Sequence, residues 1–339
     1  MKYFVSISSD STRKFAEITN SPSIDYFGDF KIKDNDYIPN EYMNYFYDAD
    51  AIVLNGTWGN TLRKELYLPN DFSFEKPLSE LGYKQRSAIL DVLNSYWVDL
   101  AKKYDKKIVV FESNTISRAE NNYRETDHKG LVRISLDSWI YDDGKWMLPK
   151  HFQTPRKINA ERLYDHSWNV NENGFICILT GLETDPTSTI PTDMYLNNCI
   201  KTIRKHTNRK IKIKVHPASN RQKDYQYLIK KYKNIRFLSS NQELKELYED
   251  MYCAVIDNST SIFELIDAGI PTYCSEKNFG QDLNNIDLNT INNPYLASKE
   301  EISKWVDNMV CTEVPRDYFD DCRISYCVET LIKAYDNGL

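Results

Sequence analysis

The sequence predicts an α/β fold of two domains with mostly parallel sheets. Strand-like apolar runs alternate with segments of helical spacing along most of the chain. The alternation lapses at residues 149–173, a polar stretch holding Pro149 and Pro155, and then restarts. Finally, 339 residues suit two domains that each bury a core. The domains are therefore placed at 1–150 and 174–310, with 311–339 as a closing C-terminal helix.

In the first half, Tyr3–Ser8 is strand-like, and Ala49–Asn55 is a short apolar run ending in Gly56-Thr57-Trp58-Gly59. Residues 84–103 place Ala88, Ile89, Val92, Leu93, Trp97, Leu100 and Ala101 at helical spacing. Lys107–Glu112 is the clearest buried strand. Leu131–Leu136 and Ser138–Tyr141 read as strands, with Asp142-Asp143-Gly144 as a hairpin turn. In the second half the strands are Phe175–Leu179, Ile211–Val215, Ile235–Leu238, Cys253–Ile256 and Ile270–Cys274. Helical spacing falls at Asp193–His206, Lys223–Tyr232, Asn241–Asp250, from Ile262, at Glu300–Met309 and at Tyr326–Tyr335.

Composition narrows the class. An apolar share of 41% and a charged share of 27% are those of a folded globular chain. No run approaches the roughly 18 apolar residues of a membrane span, and the start is too quickly polar for a signal peptide. The seven cysteines (177, 199, 253, 274, 311, 322, 327) lack zinc spacing, which suggests buried reduced thiols and a cytoplasmic location. A net charge of −6 argues against nonspecific coating of nucleic acid but leaves room for a local basic cleft. Arg204, Lys205, Arg209, Lys210, Lys212 and Lys214, followed by Lys230, Lys231 and Lys233, form such a cluster, or else solvated helix and strand edges.

In parallel sheets, ligands bind beyond the carboxyl ends of the strands. Lys214-Val215-His216-Pro217 lies at one such end: the histidine can donate a charge-assisted hydrogen bond to phosphate, and the proline turns the chain away. Asn258-Ser259-Thr260-Ser261-Ile262-Phe263-Glu264 lies at another, followed by Ala268-Gly269-Ile270-Pro271. Its hydroxyls can cap the helix or bind phosphate oxygens. Gly181, after Phe175–Leu179, joins the donor-side candidates. These are Lys214, His216, Pro217, Ser259, Thr260, Ser261, Glu264 and Gly181.

The His216-Pro217 dipeptide, the Ser259-Thr260 pair and the run from Phe263 to Pro271 resemble the C-terminal domain of GT-B glycosyltransferases. They are most similar to bacterial sialyltransferases and capsule Kdo transferases. Residues 202–217 also resemble phage-encoded proteins of this type. The resemblance covers about residues 175–310. It implies two Rossmann-like domains facing a cleft, and a histidine and hydroxyl pair on the phosphate of a UDP- or CMP-linked nucleotide-sugar. No separate cofactor is implied.

The first half then carries the acceptor and the base, with Gly56, Trp58 and Arg118 as acceptor-side candidates. In an inverting transfer the acceptor hydroxyl needs a carboxylate within reach. Glu112, leaving its strand, is the first candidate. Glu112-Ser113-Asn114-Thr115-Ile116-Ser117-Arg118 is similar to the Glu-x-Gly-x-x-Arg-like turn of the Kdo transferases, with Asn114 in place of glycine and Arg118 shifted. The bland alternative is a helix cap or a pair with Arg118. Asp142 is the rival, matching the sialyltransferase Asp-Asp-Gly motif, although a hairpin turn explains it as well. No His, Cys, Asp or Glu grouping has metal-ligand spacing, so a metal-independent reaction is expected. Two acceptors compete: a 5-hydroxymethylpyrimidine in phage double-stranded DNA, and a surface or capsule polysaccharide. Trp58, Trp97, Trp139 and Trp146 could stack on an extruded base, stack on sugar rings, or simply be core. A non-catalytic nucleotide- or glycan-binding module, or an epimerase of nucleotide-sugars, would use the same fold.

Overall fold

The structure is a computed structural model. It describes residues 1–26, 40–56, 58, 68, 78–113, 131–138, 166–182, 190–217, 219, 221–239, 241–275, 278–283, 285–310, 313–320 and 322–338. The chain divides into two compact units. The first takes the described residues up to 113, then 131–138 and 309–338; the second takes 166–308.

The first unit is built on β1 (Tyr3–Ile7), β2 (Ser23–Asp25), β3 (Ala51–Asn55), β4 (Lys107–Ser113), β5 (Leu131–Leu136) and a late strand, Glu313–Pro315. From the late strand inward, the order is Glu313–Pro315, β5, β4, β3, β1, β2. The pairs among β1 to β4 are parallel, whereas β5 runs antiparallel to β4, and the late strand antiparallel to β5. Both faces of the central strands are covered, so β1, β3 and residues 108–111 of β4 are mostly apolar, as buried parallel strands require. Their period of two sorts the side chains into two cores. Tyr3, Val5, Ala51, Val53, Val109 and Phe111 pack with Leu331 and Ile332 of the helix Arg323–Asp336. Phe4, Ile52, Leu54, Ile108 and Val110 pack with Ala88, Leu93 and Trp97 of the helix Tyr83–Lys103.

The second unit holds β6 (Phe175–Leu179), β7 (Ile211–Lys214), β8 (Ile235–Phe237), β9 (Met251–Val255) and β10 (Thr272–Tyr273). All pairs are parallel, in the order β10-β9-β6-β7-β8. Counted from β6 this is the 3-2-1-4-5 winding of a Rossmann-like sheet. Ile176, Ile178, Ile211, Ile213 and Val255 pack against Leu196, Ile200 and Ile203 of the helix Thr192–His206. The expected two-sheet α/β fold therefore holds.

Differences from expectation are local. The helix Asp10–Thr19, β2, the helix Asn40–Asp48 and the strand Glu313–Pro315 carry no strong run of their own in the sequence. The first starts on a capping box: the Ser9 side chain accepts from the Thr12 N–H, and Thr12 answers on the Ser9 backbone. Two expected helices are 3₁₀ in part or in whole. Residues 223–232 form a 3₁₀ turn, Gln222–Tyr225, and a short α-helix, Tyr227–Lys231, while Leu244–Asp250 is wholly 3₁₀. The closing segment also does more than end the chain, because it supplies an edge strand and a core helix to the first unit. Among the described cysteines, 177, 199, 253, 274 and 327 are buried free thiols; Cys322 is exposed, contrary to expectation. No helix among the described residues is long and apolar enough to cross a membrane.

Candidate functional site

In the second unit the chain winds β6, β7, β8 in one direction and then returns to place β9 on the other side of β6. That reversal is the switch point at which such sheets open a crevice beyond their carboxyl ends. Three exits meet there. The exits of β7 and β9 flank that of β6, about 10 Å apart at ordinary strand spacing.

At the β6 exit, Thr180 is buried and Gly181 half-buried. The Thr180 hydroxyl accepts from the His216 N–H at 3.2 Å, and the Thr180 N–H donates to the Lys214 carbonyl at 3.1 Å. The His216 carbonyl accepts from the Ser219 N–H at 2.9 Å, so Pro217 occupies the second position of a tight turn, where its fixed φ fits. The backbone of His216, a half-buried residue, is thereby held against the β6 exit, and Pro217 is exposed.

At the β9 exit, the Ser259 hydroxyl accepts from the Ser261 N–H at 3.2 Å and lies 3.0 Å from the Ser261 hydroxyl. Thr260 occupies the N-cap of the helix Ser261–Asp267 without a side-chain cap bond. Capping thus accounts for Ser259 and not for Thr260. The turn is braced from a distance. Asn278, 1% exposed, donates to the Asp257 carbonyl at 2.9 Å and the Ser259 carbonyl at 3.3 Å, and Ser275 donates to Asn258 Oδ1 at 2.5 Å. Sequence reasoning missed Thr180, Ser275 and Asn278. Thr180 was legible as the first residue beyond a strand; the other two had no local signal.

Lys214 and Glu264 interact on the sheet face opposite the Ile211 and Ile213 core. Burial lowers the Lys214 pKa, partly offset by Cys177 and Glu264. Burial raises that of Glu264, offset by hydrogen bonds from Ser261 and Tyr248 and by the Lys214 charge. The Tyr248 bond measures 3.3 Å. Glu264 thus hydrogen-bonds Ser261 and feels the Lys214 charge.

The first unit has its own switch point between β1 and β3. With its amide oriented to satisfy both ends, Asn55 donates to the Ser9 hydroxyl at 3.0 Å and the Phe111 carbonyl at 3.2 Å, and accepts from the Gly56 N–H at 3.1 Å. Asn94, 1% exposed, donates to the Asn55 carbonyl at 3.0 Å. Gly56 has φ +87°, the left-handed region glycine favours, with open space where a Cβ would stand. The network thus joins the exits of β1, β3 and β4. Trp58 is half-buried and packs on the Trp97 core.

Glu112 lies near the end of β4, directly opposite Arg133 of β5 in the antiparallel register. Arg133 is 4% exposed. Arg133, absent from the sequence reading, is thus a cross-strand neighbour for the carboxylate. Asp142 and Arg118 lie outside the described residues, as do the expected 142–144 turn, Trp139 and Trp146. Trp97 is fully buried, which removes it from the residues able to stack on a base. Among the described residues, no three His, Cys, Asp or Glu side chains gather as a metal site would need.

No family model matches the sequence, and neither does any curated protein. Among solved structures, KpsC of Thermosulfurimonas dismutans, a β Kdo 2,7 transferase, aligns over 98% of this chain and 100% of its own, at 12% identity and TM-score 0.48. WaaG, a glycosyltransferase involved in lipopolysaccharide biosynthesis, aligns over 94% of this chain and 95% of its own, at 13% and 0.33. The UDP-GlcNAc 2-epimerase of Methanocaldococcus jannaschii, solved with UDP-GlcNAc and UDP, aligns over 91% and 93%, at 11% and 0.29. With every score below 0.5, these likenesses to sugar-transferring and nucleotide-sugar proteins carry no substrate or mechanism to this chain.

Proposed function

We propose that the chain is a nucleotide-sugar-dependent glycosyltransferase whose second unit holds the donor phosphate. The observation that carries this reading is the meeting of His216, Thr180-Gly181 and Ser259-Thr260-Ser261 at the switch point of a five-stranded parallel sheet. An imidazole and several hydroxyls around a strand-exit crevice suit phosphate oxygens. Lys214, beneath them, adds a positive charge close to the place where the leaving phosphate gains a negative one.

The candidate for the base is Glu112, which would take the proton of the acceptor hydroxyl as that oxygen bonds to the sugar's anomeric carbon. The bond from that carbon to the phosphate oxygen breaks, and the electron pair leaves with the nucleotide. For the acceptor, the hydroxymethylated pyrimidine of duplex DNA is the first reading, supported by the resemblance of residues 202–217 to phage-encoded chains. A glycan hydroxyl is the second, favoured where Trp58 serves as core and Trp97 is withdrawn from base stacking.

The test is to incubate the protein with UDP- and CMP-linked sugars and with duplexes containing cytosine or 5-hydroxymethylcytosine, then weigh the nucleosides. A pentose or hexose mass on the hydroxymethylated base alone supports the DNA acceptor. Transfer to an oligosaccharide alone replaces it with the glycan. Donor turnover without any acceptor removes the transferase reading in favour of epimerisation or hydrolysis.

A further inference from the structure

The end of the second unit's sheet opposite the strand exits is cationic. Lys210 and Asn234 immediately precede β7 and β8, so they sit at the amino ends of these parallel strands. A cavity of about 570 Å³ opens there, lined by Lys210, Lys230, Lys231, Lys233 and Arg236, with no carboxylate among its lining residues. The whole chain carries −6, so five cations around one cavity reverse the molecule's sign locally.

The cavity wall is braced from behind. The Arg204 guanidinium donates to the carbonyls of Lys233 at 2.9 Å and Asn234 at 3.2 Å, and also to those of Thr207 and Arg209. The backbone carrying Lys233 is therefore pinned. On the neighbouring strand, Lys212 is the register partner of Arg236. Burial and the like charges of Arg236 and Lys210 hold its ammonium below the usual lysine range, with Asp250 and Cys177 opposing. Ile229, 39% exposed, adds an apolar wall, and Lys231 is anchored on Asn197 Oδ1 at 2.8 Å.

We propose that this cavity is a binding site for a ligand bearing two or more phosphate groups, separate from the strand-exit site. Its volume is within the range of small-ligand pockets. Lysine ammoniums serve phosphate as point charges, and a ring of them suits more than one phosphate. The proposal stands independently of the glycosyltransferase reading.

The test uses the full chain carrying His216→Ala, so that the strand-exit site is weakened, and inorganic tripolyphosphate as calorimetric probe. Saturable binding is expected, weakened roughly ten-fold or more by Lys230→Gln with Lys233→Gln, because charged hydrogen bonds are lost. Added salt weakens it too. Lys210→Gln with Arg236→Gln repeats the reading from the other wall, and unchanged thermal denaturation checks each fold. Co-sedimentation with phosphatidylcholine vesicles containing cardiolipin, whose headgroup carries two phosphates, identifies the source. Vesicle binding that the lysine variant loses assigns a lipid headgroup; tripolyphosphate binding without vesicle binding assigns a free phosphate compound. Tripolyphosphate affinity indifferent to both variants, or binding to neither probe, overturns the proposal. Binding to duplex DNA alone also overturns it, in favour of a nucleic-acid surface.

Discussion

Glu112 stands between two roles. As a base it must face an acceptor hydroxyl; as the neighbour of a buried guanidinium it balances Arg133 across the strand pair. Glu112→Gln keeps the shape and removes the charge. If Glu112 is the base, turnover falls by roughly 10²–10⁴ while donor affinity holds. A loss confined to denaturation stability, with turnover intact, assigns it to Arg133 alone. Glu264 allows a second residue-scale prediction. Burial raises its pKa above the ordinary 4.5, so the folded state binds a proton that the unfolded state has released. Its contribution to stability is therefore greatest at low pH and declines as pH rises from 4.5 through the raised folded value. Glu264→Gln should flatten that decline in thermal denaturation; an unaltered pH profile would contradict the assignment of burial as its cause.

At the scale of the element, the segment that carried the family resemblance has a mechanical reason. Gly269 closes the helix Ser261–Asp267 with φ +74°, its N–H on the Ile266 carbonyl at 2.8 Å and its own carbonyl accepting from Asn169 at 2.7 Å. A Cβ there would stand 2.4 Å from the Ser167 carbonyl oxygen and 2.8 Å from the Asn169 nitrogen. Gly269→Ala should therefore cost more than about 1 kcal/mol in chemical denaturation, since both the positive φ and the close approach are lost. A neutral result would mean that residues 167–169 move aside. The same reasoning explains which elements were legible. Phe175–Leu179 and residues 108–111 of β4 are buried on both faces and announce themselves as apolar runs. Ser23–Asp25 and Glu313–Pro315 are three-residue edge strands whose place is set by partners far away in sequence, so local pattern could not find them. The helix Asp10–Thr19 was findable from the Ser9-to-Thr12 box, although its charged composition obscured it.

At the scale of the molecule, the two units show the same logic: a run of parallel strands, a reversal of winding and a cluster of polar side chains at the reversal. His216 and Ser259–Ser261 were legible because they lie just beyond buried strands. Asn278 and Asn94, which hold such exits from elsewhere in the fold, were not. The C-terminal helix shows the limit of reading a chain in order, because its apolar face completes the core begun by β1. In the proposed function the exits of β6, β7 and β9 grip a nucleotide phosphate. Calorimetric titration of UDP, CMP, GDP and TDP into the wild type, His216→Ala and Ser259→Ala decides whether they do. Each charged hydrogen bond to phosphate is worth about 1.5–3 kcal/mol, so at least one nucleotide should bind the wild type and each variant roughly ten- to a hundred-fold less tightly. Equal affinity in all three proteins, with the fold intact, would contradict it.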